Sequence, residues 1–286
     1  ITAGDKWTDP GYTAKDNVDG DLTSKVKVSG SVNHRTAGTY KLTYTVQDSY
    51  GNKTSVQRTV VVKAAPKPET TPPANVDGKG KVIYLTFDDG PSKHTERLLK
   101  VLDKYGVKVT FFVCKTGRLD LLDDIAAAGH TIGVHSASHK YSQIYASEDA
   151  FFEDFDKMVA LIEQYSGVTP TISRFPGGTA NSVSKKHNTG IMTRLTKAIQ
   201  SLGFQYFDWN IDSNDAGGTK TADGVFKNVT NRIAKSKSNH LVVLQHDIHS
   251  YSVDAVERII LWGMENGYTF AALTNSSPAC QHTPVN

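Results

Sequence analysis

The stretch "KVIYLTFDDGPS", residues 81–92, sets two carboxylates, Asp88 and Asp89, side by side after an apolar run and before a Gly-Pro turn. Farther along, "HSASH" spaces His135 and His139 four residues apart, and "SRFPGG" carries Arg174, Gly177 and Gly178. "DSND" holds Asp212 and Asp215, and "VVLQH" ends on His246. Residue types of this kind suit metal-assisted hydrolysis. Two imidazoles at that spacing can share one ion if their segment coils into a helical turn. A carboxylate then completes a two-His-one-carboxylate set with positions left open for water and substrate. Successive strand residues point to opposite faces, so Asp88 and Asp89 are expected to divide the work, one as a ligand and one as a base beside the water. Arg174 is suited to hold a carboxylate ionised through paired hydrogen bonds. Gly177 and Gly178 let backbone N–H groups approach a developing oxyanion. His246 is a candidate acid whose pKa Asp215 or Asp212 would raise. Taken singly, each feature has a plainer reading: a capping turn for "FDDGP", a surface ion pair for Arg174, loop glycines, a core histidine at His246.

Their joint placement decides between the readings. From residue 81 onward apolar runs alternate with helical patterns, several of them closed by Gly, as in "ERLLKVLDKYG" before "VKVTFFV" and "LDLLDDIAAAG" before "TIGVH". "KVIYLTF", "VKVTFFV", "TIGVH", "TISRF", "QYFDWNI", "HLVVLQH" and "YTFAAL" predict seven strands separated by helices. Such alternation predicts parallel βαβ units in a barrel or doubly wound sheet, where chemistry gathers at the C-terminal strand ends. "DDG", "HSASH", "RFPGG", "DSND" and "QHD" each follow the apolar part of a strand. The fold would therefore bring every ionisable cluster to one mouth.

Residues 1–63 lack helical periodicity. Short alternating runs, among them "TYKLTYTV" with Tyr40, Leu42, Tyr44 and Val46 on one face, predict a small all-β sandwich. Its acidic loop, Asp16, Asn17, Asp19 and Asp21, offers oxygens to calcium but is read as turn-forming. The Pro- and Thr-rich residues 64–80 read as an extended linker before a second domain at 81–286. A length of 286 residues fits two domains at about 150 residues each. No run approaches the roughly 18 apolar residues of a membrane span. A net charge of +3, with dispersed Lys and Arg, speaks against a nucleic-acid partner. The opening "ITAGDKWTDP" reads as a fragment whose targeting signal and first strand lie outside it. Cys114 and Cys280 permit at most one disulfide.

The ordered set "TFDDGP", "HSASH", "RFPGG", "DSND" and "LQH" closely resembles the five motifs of NodB-type polysaccharide deacetylases, family four of the carbohydrate esterases. That resemblance implies a distorted (β/α)7 barrel and metal-dependent removal of N- or O-acetyl groups from a polysaccharide. By matching position it implies Asp88 as general base, Asp89, His135 and His139 as metal ligands, and Arg174 as the residue orienting Asp88. Gly177 would offer its N–H to the oxyanion, His246 would protonate the leaving amine, Asp215 would tune His246, and Leu244 would line the methyl pocket. Two positions depart from the pattern: Gly177 stands where a Tyr is usual, and Ala216 where a Trp is usual. "RFPGG" with "SKKHNTGIMTRLT" is similar to the Gram-positive subgroup acting on peptidoglycan N-acetylglucosamine. The ligand types suggest zinc, with cobalt or nickel as substitutes. The first domain, through "AGTYKLTYTVQDSYGN" and "RTVVV", resembles bacterial immunoglobulin-like surface repeats, implying an extracellular or surface-attached bacterial protein. The expected protein is a monomer whose partner is an acetylated polysaccharide. Rival expectations are an O-acetyl xylan esterase or chitooligosaccharide deacetylase of the same family, a glycoside hydrolase, which needs two carboxylates about 5 to 9.5 Å apart and no His pair, and a glycan-binding module without turnover.

Overall fold

A computed structural model describes residues 1–67 and 80–286 in two units, one built on Ile1–Lys67 and a larger one that holds the ionisable motifs. Most of the expected linker, residues 68–79, lies outside the described residues.

In the smaller unit, β4 (Gly38–Gln47) and β5 (Lys53–Val62) form a long antiparallel hairpin, and β3 (Lys27–Ser29) pairs the other edge of β4. A two-residue ladder joins β1 (Lys15–Asp16) to β2 (Gly20–Asp21), so the expected sandwich takes the form of a three-stranded sheet and this small second one. Alternation along β4 buries Leu42 and Tyr44, with Leu22, Val60 and Val62 also buried. The acidic loop forms turns: Asp16 accepts the amides of Val18 and Asp19, both at 2.8 Å, and Asp21 accepts that of Thr23 at 2.8 Å.

The larger unit alternates as its apolar periodicity predicts: β6 (Val82–Asp88), α1 (Thr95–Tyr105), β7 (Thr110–Cys114), α2 (Leu121–Ala127) and β8 (Thr131–Ser136). A single-turn α3 (Tyr141–Ile144) and the long α4 (Glu148–Ser166) then lead to β9 (Ile172–Ser173). After α5 (Ile191–Ser201) come β10 (Gln205–Tyr206), β11 (Ile211–Asp212), α6 (Ala222–Lys235), β12 (His240–His246), α7 (Ser250–Glu265) and β13 (Thr269–Phe270). The strands run parallel in the order β10-β9-β8-β7-β6-β12-β11, with β13 against the start of β6. Central β6 is buried at every position, as a strand covered on both faces requires.

One expected strand is two. "QYFDWNI" pairs with β9 through β10 and with β12 through β11, at opposite edges of the sheet, so a single bent segment bridges both edges. Its bend is anchored by buried Asp208, whose carboxylate accepts the amides of Thr179 and His282, both at 2.8 Å, while its own amide bonds Cys280 O at 2.7 Å. Eight strands therefore stand where seven are expected, and the (β/α) barrel is distorted at this seam.

Candidate active site

β6 delivers the two carboxylates to different places. Thr86 and Asp88 share the face that β12 continues with Leu244 and His246, for Leu244 lies in register with Thr86 and His246 with Asp88. Asp89 leaves the strand with φ +71°, a left-handed conformation that re-aims its carboxylate. No side chain fits at the next residue, since a Cβ on Gly90 would run into the carboxylate of Asp247.

Asp88 is buried against Arg174, whose Nη1 donates to Asp88 Oδ1 at 2.8 Å and to Thr86 Oγ1 at 2.6 Å. Nε and Nη2 of Arg174 donate to the carbonyls of Phe207 at 3.0 Å and Asp208 at 2.9 Å. Only one of the expected paired bonds thus reaches Asp88. Others spread to the bent segment, and the guanidinium lies 4.3 Å over the Phe112 ring, so this buried cation is held by four hydrogen bonds and an aromatic face.

Asp89 faces the two imidazoles. Its Oδ1 lies 3.4 Å from Nε2 of both His135 and His139, and among the described residues this trio is the one group of three His, Cys, Asp or Glu whose ligand atoms converge, all within 4.8 Å. No helical turn brings the histidines together. β8 ends at Ser136, and Asp154 on α4 then clamps the bend by accepting Ser136 Oγ at 2.6 Å and the amides of Ala137 and Ser138, both at 2.8 Å. Ser136 Oγ in turn accepts the amide of His139 at 2.8 Å, and His139 takes φ +53°.

The donor chemistry fits a cation. His135 Nδ1 lies 2.8 Å from the carbonyl oxygen of Arg174, which as an acceptor assigns a hydrogen to Nδ1 and leaves Nε2 facing Asp89, able to carry a proton or to offer a lone pair to a cation. Nε2 and the carboxylate need a positive charge between them at that range, which a proton on the ring supplies or a bound cation would supply in its place. Burial raises the Asp89 carboxyl, but the hydrogen bond and charge of His135 and the charge of His139 outweigh it and hold it well below the usual range. Burial pulls His135 down while Asp88 and Asp89 raise it further, whereas burial and the neighbouring His135 lower His139. One imidazole is held up and the other down, as expected of groups competing to place one positive charge.

On the other flank, Asp215 accepts both the His246 amide and Nδ1, each at 2.8 Å. Asp212 instead accepts the amide of Asn214 at 2.7 Å, so of the two expected tuners it is Asp215 that meets the imidazole. Burial lowers His246, but Asp215, followed by Asp88 and Asp89, raises it to about 9.

Leu244 is buried on the strand that carries His246. Gly177 has φ +77°, and a Cβ there would stand 2.9 Å from Tyr141 Oη. Tyr141, with Asp154, escaped the sequence reading; it packs edge-on against His139 with ring centroids 5.4 Å apart, and a lone Tyr after "HSASHK" gives no signal of that contact. Cys114 and Cys280 are free thiols, Cys114 with its sulfur 3.8 Å from Asp89 Oδ1. A groove of about 630 Å³ between Tyr105 and Thr274 contains none of these residues.

Residues 75–205 match the family described as Polysaccharide deacetylase, and residues 1–62 match Bacterial surface protein, Ig-like domain. A peptidoglycan-N-acetylglucosamine deacetylase of Bacillus cereus is 33% identical over 80% of this chain and 83% of its own length. The peptidoglycan-N-acetylglucosamine deacetylase PgdA of Listeria monocytogenes is 26% identical over 78% of this chain, which spans 42% of that longer protein. Among solved structures, the catalytic domain of peptidoglycan N-acetylglucosamine deacetylase from Eubacterium rectale superposes with a TM-score of 0.71 at 49% identity, covering 74% of this chain and 96% of that one.

Proposed function

The chain belongs to the polysaccharide deacetylases, and from that premise we propose that it hydrolyses N-acetyl groups on peptidoglycan N-acetylglucosamine, outside the cell or at its surface, in a metal-dependent reaction. The observation that carries this reading is the convergence of Asp89, His135 and His139 beside two differently supported proton carriers, Asp88 and His246. Asp89, His135 and His139 would hold the ion. Zinc, or cobalt or nickel on the same ligands, supplies there the positive charge that polarises an acetyl carbonyl and acidifies water.

The protein's own groups carry the protons. Asp88, oriented by Arg174, which Thr86 helps to anchor, accepts a proton from the attacking water. The water oxygen bonds to the acetyl carbon, and the backbone N–H of Gly177 serves the resulting oxyanion. His246, held by Asp215, passes its proton to the sugar nitrogen as the C–N bond breaks, leaving a free amine and acetate. Leu244 lines the pocket for the acetyl methyl. The Ig-like domain would act as a spacer or wall-binding module.

Acetate release from peptidoglycan, chitooligosaccharides and acetylxylan, measured in parallel with chelator and with added zinc, tests the reading. Release from the two aminosugar polymers that chelation stops and zinc restores is expected. Chelator-insensitive release, or release from acetylxylan alone, overturns it.

A further inference from the structure

We propose that His249 and Tyr251, at the start of α7, form the platform on which the sugar carrying the leaving amine rests, a role that presupposes the deacetylase reading above. Their rings stack with centroids 5.0 Å apart and planes within 9°, and the His249 ring stands 6.2 Å from that of His246. Both are partly exposed. Position assigns the occupant. In amide hydrolysis the acyl carbon meets the base and the oxyanion donors, whereas the nitrogen departs toward the acid. A surface bordering the acid at the rim therefore faces the sugar and not the acetyl group. The axial C–H bonds of a β-linked pyranose give it a flat apolar face, and such a face pairs with a flat aromatic one.

A second observation shows why this platform is open to a polymer. Tyr251 Oη donates to the carbonyl oxygen of Asp215 at 2.8 Å, so the stack abuts the peptide that joins Asp215 to Ala216. Residues following that peptide are the smallest available: Ala216, Gly217 and Gly218 are all exposed, and a Cβ on Gly217 would meet nothing within 4 Å. No large side chain of this loop segment rises over the stack. The same hydroxyl ties the platform to Asp215, the residue that holds His246, so the sugar and its proton donor are positioned from one anchor.

Two substrates separate this role from a general disturbance of the site. Tetra-N-acetylchitotetraose brings a sugar and an amine that needs an acid; 4-nitrophenyl acetate brings neither. With zinc-loaded full chain, His249→Ala is expected to lower kcat/KM for the tetrasaccharide about tenfold more than for the ester, chiefly through KM, the scale of one flat aromatic contact. His249→Phe, which keeps a flat ring, is expected to recover most of the loss. Equal losses on both substrates, no selective loss, or a selective loss that Phe does not recover would each overturn the platform. Calorimetric binding of the tetrasaccharide in an Asp88→Asn background, where turnover is slowed, reads the platform apart from the chemistry: His249→Ala weakens it if the proposal holds and leaves it unchanged if not. Failure of the wild-type chain to release acetate would count against the deacetylase reading alone.

Discussion

Asp88 and Asp89 are neighbours in the chain with opposite surroundings. The Asp88 side chain is 4% exposed and faces a permanent cation, Arg174, which also donates to Thr86 and two backbone carbonyls. Asp89 is 25% exposed and faces two imidazoles whose charge is conditional. A carboxylate beside a fixed guanidinium has its countercharge built in and can keep one position through a reaction. A carboxylate beside two imidazoles has instead a donor set that a bound ion would complete. Two like charges at a strand end are tolerated because they do not share a countercharge, and the left-handed turn at Asp89 separates them.

Removing the conditional side should do the greater damage. Asp89→Asn or His135→Ala is expected to abolish stoichiometric zinc binding, read by elemental analysis, and to drop acetate release to background. Asp88→Asn should leave the zinc content intact while slowing turnover by about 10² to 10⁴, the usual worth of a general base. If zinc were retained in His135→Ala with activity intact, or lost in Asp88→Asn, the contrast between the two carboxylates would be wrong.

That contrast was legible in the sequence only in outline. Period-two alternation separates Asp88 from Asp89, and motifs at strand ends predict their convergence with His135, His139 and His246, because a parallel βαβ fold leaves those ends no other place to meet. What holds the motifs lies beyond local pattern. Asp154 sits in "FFEDFDKMV", where its charge reads as one more solvated position of an amphipathic helix, yet it caps the bend between the two histidines. Likewise "QYFDWNI" carries the apolar content of one strand, and only tertiary contacts to buried Asp208 split it between two sheet edges. The left-handed residues Asp89 and His139 are non-glycine, so composition gives no warning of them.

Asp154 offers an intermediate test, because it holds the residues between the two histidines and not the histidines themselves. Asp154→Ala is expected to weaken zinc affinity about 10- to 100-fold, the usual consequence of losing an outer-shell partner. Excess zinc should restore much of the acetate release. A variant with unchanged zinc affinity would show that the bend holds without its clamp.

The smallest effect belongs to the acid side and appears as a displacement along the pH axis. His246 is raised to about 9 from 6.5, so its proton, the one proposed to reach the leaving amine, is present below that value and lost as pH rises through it. A cation at Asp89 cancels that carboxylate's contribution, which places the alkaline limb of kcat/KM in the zinc-loaded enzyme below 9. Asp215 contributes more to the raise than Asp88 or Asp89 does, so Asp215→Asn should move the limb farther down, toward 6.5. Wild type and variant then differ least near pH 6, where both hold the proton, and the gap widens through pH 8. A profile for Asp215→Asn that is uniformly scaled at every pH, with its limb unmoved, would mean that Asp215 fixes the orientation of His246 without setting its charge.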